Sequence, residues 1–110
     1  MASTYKVLGQ AAPSANSPTN VYTVPAGTEA VISTIIIANR ASSAGTFRLA
    51  IRPDGAIISD EHYVAFDVPV SATDSTTLTL GITMNAGDII TVDSTDNDLF
   101  SYNVFGSEIS

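Results

Sequence analysis

His62 is the one imidazole in the chain and directly follows Asp60 and Glu61, so general acid–base chemistry near neutral pH would have to run through it. Cysteine is absent, which removes thiolate nucleophiles, disulfides and the usual zinc sites. A single histidine without cysteine is read as a structural or surface residue at the start of a strand. Serines and aspartates are plentiful, but no G-x-S-x-G elbow presents a serine to a base, and 110 residues leave little room for a cleft with an oxyanion hole. A hydrolase is not expected. The segment Asp93-Ser94-Thr95-Asp96-Asn97-Asp98 is the one place where hard oxygen donors crowd together. It lacks the glycine and the distal glutamate of a calcium loop and is read as Asp/Asn turn chemistry between two strands. No catalytic, cofactor-binding or metal-binding residue is assigned, and no cofactor is expected.

The charge pattern narrows the partners. Four basic residues (Lys6, Arg40, Arg48 and Arg52) stand against eleven acidic ones, for a net charge of −7. A phosphate-neutralising surface is excluded, so nucleic acid is not a partner. The charge is also lopsided: residues 1–53 sum to +3 and residues 54–110 to −10. That pattern is read as a scattered acidic surface, with head-to-tail matching between copies as the alternative. The first residues contain no apolar leader and the longest apolar run, Ile35–Ala38, is far too short to cross a bilayer, so no membrane association is expected.

The elements that would position any site are strands. Ile, Val and Thr together make up 33 of the 110 residues, a composition suited to pleated, half-buried strands. A hydrophobic content of 45% is enough for one core. The small, proline-containing stretch 12–20 separates a short strand at Tyr5–Gln10 from the rest, so residues 1–20 are read as an N-terminal arm and loop and residues 21–110 as the body. The arm either returns to its own sheet or adds a strand to a neighbour. Asn20–Val24 leads into Pro25-Ala26-Gly27-Thr28, a turn expected to close a hairpin. Glu29–Ala38 puts Val31, Ser33, Ile35 and Ile37 on one face and Ile32, Thr34 and Ile36 on the other, so it is a central strand or lies at an interface. With Ile35 and Ile37 in the core, Ile32 and Ile36 would face a partner.

Phe47, Leu49 and Ile51 alternate with Arg48, Ala50 and Arg52, which places both arginines outward. Tyr63–Val70 sets Val64, Phe66, Val68 and Val70 on one face, with Pro69 marking an edge. Thr76, Leu78 and Leu80 alternate with Thr77 and Thr79 until Gly81 breaks the run. Asn85-Ala86-Gly87-Asp88 is expected to make another hairpin turn before Ile89–Ser94, and Leu99–Gly106 is the last strand. About eight short strands with no helical period point to an all-β, two-sheet antiparallel sandwich of jelly-roll or immunoglobulin-like type. Periodicity does not choose between those two.

Three stretches carry a resemblance to a known family. They are Tyr5-Lys6-Val7-Leu8-Gly9-Gln10-Ala11-Ala12-Pro13; Val21-Tyr22-Thr23-Val24-Pro25-Ala26-Gly27-Thr28 through Asn39-Arg40 to Phe47-Arg48-Leu49-Ala50-Ile51-Arg52-Pro53; and Leu78-Thr79-Leu80-Gly81-Ile82 to Phe105-Gly106-Ser107-Glu108-Ile109. Together they resemble small accessory virion proteins of tailed bacteriophages. The resemblance implies a non-enzymatic protein of the virion: a capsid cement or decoration protein that binds the outer shell as an oligomer, with tail, baseplate or fibre component as the alternative. It also implies its partners, which are itself as a homo-oligomer, a trimer among the candidates, and the major capsid protein or tail proteins. From a different class, a carbohydrate- or receptor-binding module would be marked by exposed Tyr63 or Tyr102 beside aspartates.

Overall fold

A computed structural model describes residues 3–95 and 99–110. Eight strands run in chain order: β1 (Ser3–Ala11), β2 (Thr19–Thr23), β3 (Glu29–Asn39), β4 (Gly45–Arg52), β5 (Tyr63–Val70), β6 (Ser75–Met84), β7 (Ile89–Ser94) and β8 (Phe100–Ile109). They form two four-stranded sheets, ordered β1-β8-β3-β6 and β2-β7-β4-β5. All observed pairings are antiparallel. The two-sheet sandwich expected from composition and turn spacing is therefore the fold.

The order also selects between the two sandwich types. β4 pairs with β5, β6 with β3, β7 with β2 and β8 with β1, a nested series equivalent to one long hairpin. Rolling that hairpin brings β8 against β3 and β7 against β4, which closes the two sheets. This is the jelly-roll arrangement. Between the sheets lies an apolar core that includes Ile32, Ile35, Ile37, Phe47, Leu49, Ile90, Val92, Phe100, Tyr102 and Val104, all fully buried.

Rolling changes what two of the turns do. Gly27 and Gly87 take positive φ values of 72° and 88°, and each turn closes through a backbone bond, Thr28 N to Pro25 O and Asp88 N to Asn85 O. The flanking strands nevertheless lie in different sheets, so both turns are corners rather than the expected hairpins. The two corners are tied together, with the Val24 amide donating to Asp88 O and the Gly87 amide to Val24 O, each at 3.0 Å. A third corner, between β3 and β4, is built around Asn39. Its buried amide donates to the carbonyls of Ser43, Val70 and Ser71 and its oxygen accepts from the Ala41 amide.

Bulges correct several of the facing assignments. In β3 the register shifts between Ile32 and Thr34, which inserts Ser33 and reverses parity. Ile32 therefore joins Ile35 and Ile37 in the core instead of facing a partner, and Val31, expected on their face, turns outward. Opposite it, β6 absorbs Gly81 into the irregularity and runs on to Met84, so the glycine does not end the strand. In β5, Asp67 adopts a positive φ of 52° and the register shifts beside it. Val68 and Val70 point in, while Val64 and Phe66 turn outward and are about half exposed.

Candidate interaction surface

The residues that sequence reasoning considered for chemistry do not converge. The His62 side chain is 9% exposed, and its Nδ1 accepts the Ser59 amide at 3.1 Å, closing a capping box on the 3-10 turn Asp60–His62. Its Nε2 lies 4.0 Å from Glu61 Oε2. Asp93 is half-buried on β7, and burial pushes its carboxyl above the ordinary range. Asp96, Asn97 and Asp98 lie outside the described residues. Among the described residues, no group of three His, Asp or Glu side chains comes together, and no helix is long and apolar enough to cross a membrane. Of the aromatics, Phe47, Phe100 and Tyr102 are core, whereas Tyr5 is 86% exposed and Phe66 54%.

The surface is instead organised by the two outer sheet faces. On the β2-β7-β4-β5 sheet, Arg48 donates through Nε to Asp67 Oδ1 at 2.7 Å and its guanidinium lies 4.1 Å over the Phe66 ring. That ring meets Tyr63 edge-on at 5.0 Å, and Asp93 stands opposite Arg48 in the ladder. The Asp67 carboxylate holds Arg48 above its ordinary pKa. Arg52 reaches Thr91, Asn20 and the Ala56 carbonyl. Both arginines face outward, as their alternation with Phe47, Leu49 and Ile51 requires.

The β1-β8-β3-β6 sheet differs. Its ladder aligns Val7, Phe105, Thr34 and Thr79 in one outward row and Gln10, Asn103, Ile36 and Thr77 in the next. A third row on the other side is Tyr5, Ser107, Val31 and Thr83. None of these twelve side chains is charged. Among the described residues charge stands at the two ends of this face: Glu29 in the next row with Ile109 and Ser3, and Arg40, whose Nε donates to Ser101 Oγ at 2.8 Å. Lys6 points the opposite way and pairs with Glu108 at 2.7 Å. That carboxylate also accepts the Tyr22 hydroxyl at 2.6 Å; the Lys6 and Tyr22 bonds hold Glu108 below the ordinary range, and burial plus Glu108 push the Tyr22 hydroxyl up.

Two shallow depressions flank these faces, one lined by Gly27, Glu29 and Ile109 among others and one by Gln10, Ala11 and Asn103. Neither holds an acid–base pair. What these rows present is a neutral face of hydroxyl, amide and apolar groups on an acidic molecule. Sequence alternation put Thr34 and Ile36 on one face of β3 and Thr77 with Thr79 on one face of β6; it missed the rows that join them to Val7, Phe105, Gln10 and Asn103, because those rows depend on pairing between strands distant in sequence. No protein-family model matches the chain, and no curated protein does.

Proposed function

We propose that the protein is a non-enzymatic structural component of a tailed-phage virion, a capsid cement protein that binds the outer shell as an oligomer and stabilises it. The observation that carries this reading is the three uncharged central rows on the outer face of the β1-β8-β3-β6 sheet, on a chain of net charge −7. A face without charge can be covered by a partner with no unpaired ion to desolvate, while the acidic remainder keeps the molecule soluble. The resemblance of three stretches to accessory virion proteins supports it, and the jelly roll is an architecture that viral capsid and lectin domains share, which is support by analogy of fold.

Co-sedimentation with assembled shells and, separately, with tails tests the reading. Saturable binding to shells that Ile36→Asp and Phe105→Asp abolish is the expected result. Binding to tails alone would move the protein to the tail, baseplate or fibre class. A second reading, a carbohydrate- or receptor-binding module of the virion, draws on Phe66 and Tyr63 standing beside Asp67 on the other sheet. Binding to neither particle, together with host-glycan binding lost in Phe66→Ala, would establish that reading instead.

A further inference from the structure

Among the described residues every strand but one places at least one side chain in the buried core, and the exception is β1. Its nine residues are exposed from Ser3 to Val7, and only Leu8 and Ala11 pack against the core, both partly buried. What holds β1 is its ladder to β8 and two side-chain bonds. Lys6 pairs with Glu108 at 2.7 Å, and Gln10 Nε2 donates to Asn103 Oδ1 at 2.7 Å. Both donors are exposed, so each bond adds little to stability. A segment with so few buried apolar contacts opens locally at a lower free energy than the whole fold. Residues 12–18, which tether it to β2, stand outside both sheets and include Pro13, Pro18 and Asn16 at a positive φ of 56°.

Opening would bare the β8 edge, and the structure shows what fits that edge. Leu8 is the extra residue of a bulge between Val7 and Gly9. A Cβ at Gly9 would come within 2.1 Å of the Val21 carbonyl oxygen, and one at Gly106 within 3.1 Å of Leu8 Cδ1. The edge therefore selects a lysine that reaches Glu108, an apolar residue in the bulge, a glycine directly after it and then an amide that reaches Asn103. Lys6-Val7-Leu8-Gly9-Gln10 meets all four requirements, and a second copy of the chain carries the same residues.

We infer that β1 is an exchangeable strap: it opens from β8 as a unit while the rest of the sandwich stays folded, and the edge it bares takes up β1 of a second copy. Reciprocal exchange gives a two-fold pair that keeps every β1–β8 contact of the monomer and alters only the tether at 12–18. Two molecules of net charge −7 repel at a distance, but the exchanged seam sets Lys6 of one copy on Glu108 of the other. Tyr5, Val7 and Gln10 keep their places in the neutral rows, so exchange holds whether or not a phage shell covers that face.

Two measurements on the full chain test this. In native-state hydrogen exchange the bonded amides of β1 should exchange at least ~10-fold faster than those of β3, with a urea dependence well below that of global unfolding. The chain contains no cysteine, so single cysteines report strand pairing without background. Val7→Cys and Phe105→Cys, at facing positions of β1 and β8, are mixed as reduced chains and then oxidised. The expected product is a disulfide-linked pair of the two variants, twice the 11.4 kDa of one chain. It should form at least ~10-fold faster than the product of Val7→Cys with Thr79→Cys, because paired strands hold their cysteines at high effective concentration. Thr79 is exposed in the same outward row but does not face β1. Equal rates for the two mixtures, or β1 amides that exchange only with global unfolding, would each overturn the inference. A failure of shell co-sedimentation would leave both results unchanged.

Discussion

Along β4, Arg48 and Arg52 stand between β7 and β5, and each is fastened to its own chain: Arg48 to Asp67 and the Phe66 ring, Arg52 to Asn20, Thr91 and the Ala56 carbonyl. Along β3, at the same depth in the other sheet, Ile36 stands between Asn103 and Thr77 in a row of uncharged side chains. Both strands bury one face in the same core. The difference lies outside. One sheet uses charged groups to hold loops and an edge strand in place, whereas the other presents β-branched side chains and a single amide pair, Gln10 to Asn103, between β1 and β8. Outward apolar side chains that are not packed into the core, such as Ile36, are candidates for contact with something else.

The sharpest way to break this comparison is along β3 itself. Ile35→Asp places a carboxylate in a fully buried site and should unfold the domain, a loss of at least ~4 kcal/mol. Ile32→Asp should do the same, because the Ser33 bulge returns Ile32 to the core. Ile36→Asp should melt within about 1 kcal/mol of the wild type, as an outward substitution does. Thermal unfolding followed by circular dichroism reads all three, and unfolding of Ile36→Asp would show that its face is part of the core.

Asn39→Ala comes next. It removes the donors to three carbonyls and the acceptor for the Ala41 amide at a buried corner, which should cost roughly 2–4 kcal/mol in urea titration. A loss below about 1 kcal/mol would mean that water replaces these bonds readily. Phe66→Ala tests the fastened face: losing the ring beneath Arg48 should cost roughly 1 kcal/mol and leave association through the neutral sheet intact.

The smallest effect concerns acid. Lys6 and Tyr22 bond the ionised form of Glu108 and depress its pKa. A depressed folded pKa stabilises the fold fully above the unfolded carboxylate range, and that contribution disappears as pH falls through the lower, folded value. Glu108→Gln should therefore be less stable than wild type at neutral pH, and the two urea midpoints should converge on acidification. A gap that stays constant with pH would remove the ionic explanation.

Much of this fold is legible in the residues, because strand composition and turn chemistry are local. The spans of Tyr63–Val70 and Ile89–Ser94 appear as alternation predicts, and Arg48 and Arg52 fall on the outward side. What stayed hidden is non-local. Alternation counts every residue once, so the extra residue at Ser33 or beside Asp67 inverts the parity of everything that follows. Pro25–Thr28 and Asn85–Asp88 have the right chemistry for tight reversal, but whether a reversal makes a hairpin or a corner depends on which distant strand competes for the edge. For β3 the competitors are β6 and β8. The candidate surface was only partly visible for the same reason: Ile36 and Thr77 could be placed by alternation, whereas a neutral row crossing four strands exists only once the register is known. Asn39 was indistinguishable from any loop asparagine.

The nested pairing has a consequence for how the chain reaches this state. Of the strands that pair with each other among the described residues, β4 and β5 alone are consecutive in the chain, so they close the smallest loop and meet the lowest entropic barrier. Each further pair encloses the one before it, so loop-closure entropy predicts that Ser3 meets Ile109 last, after the inner pairs have shortened the effective distance between the two ends. Refolding should accordingly be slow, on the order of milliseconds to seconds as for other sheet proteins with distant pairings. Substitutions in the turn Pro53–Gly55 should retard folding, while substitutions in β1 should mainly hasten unfolding.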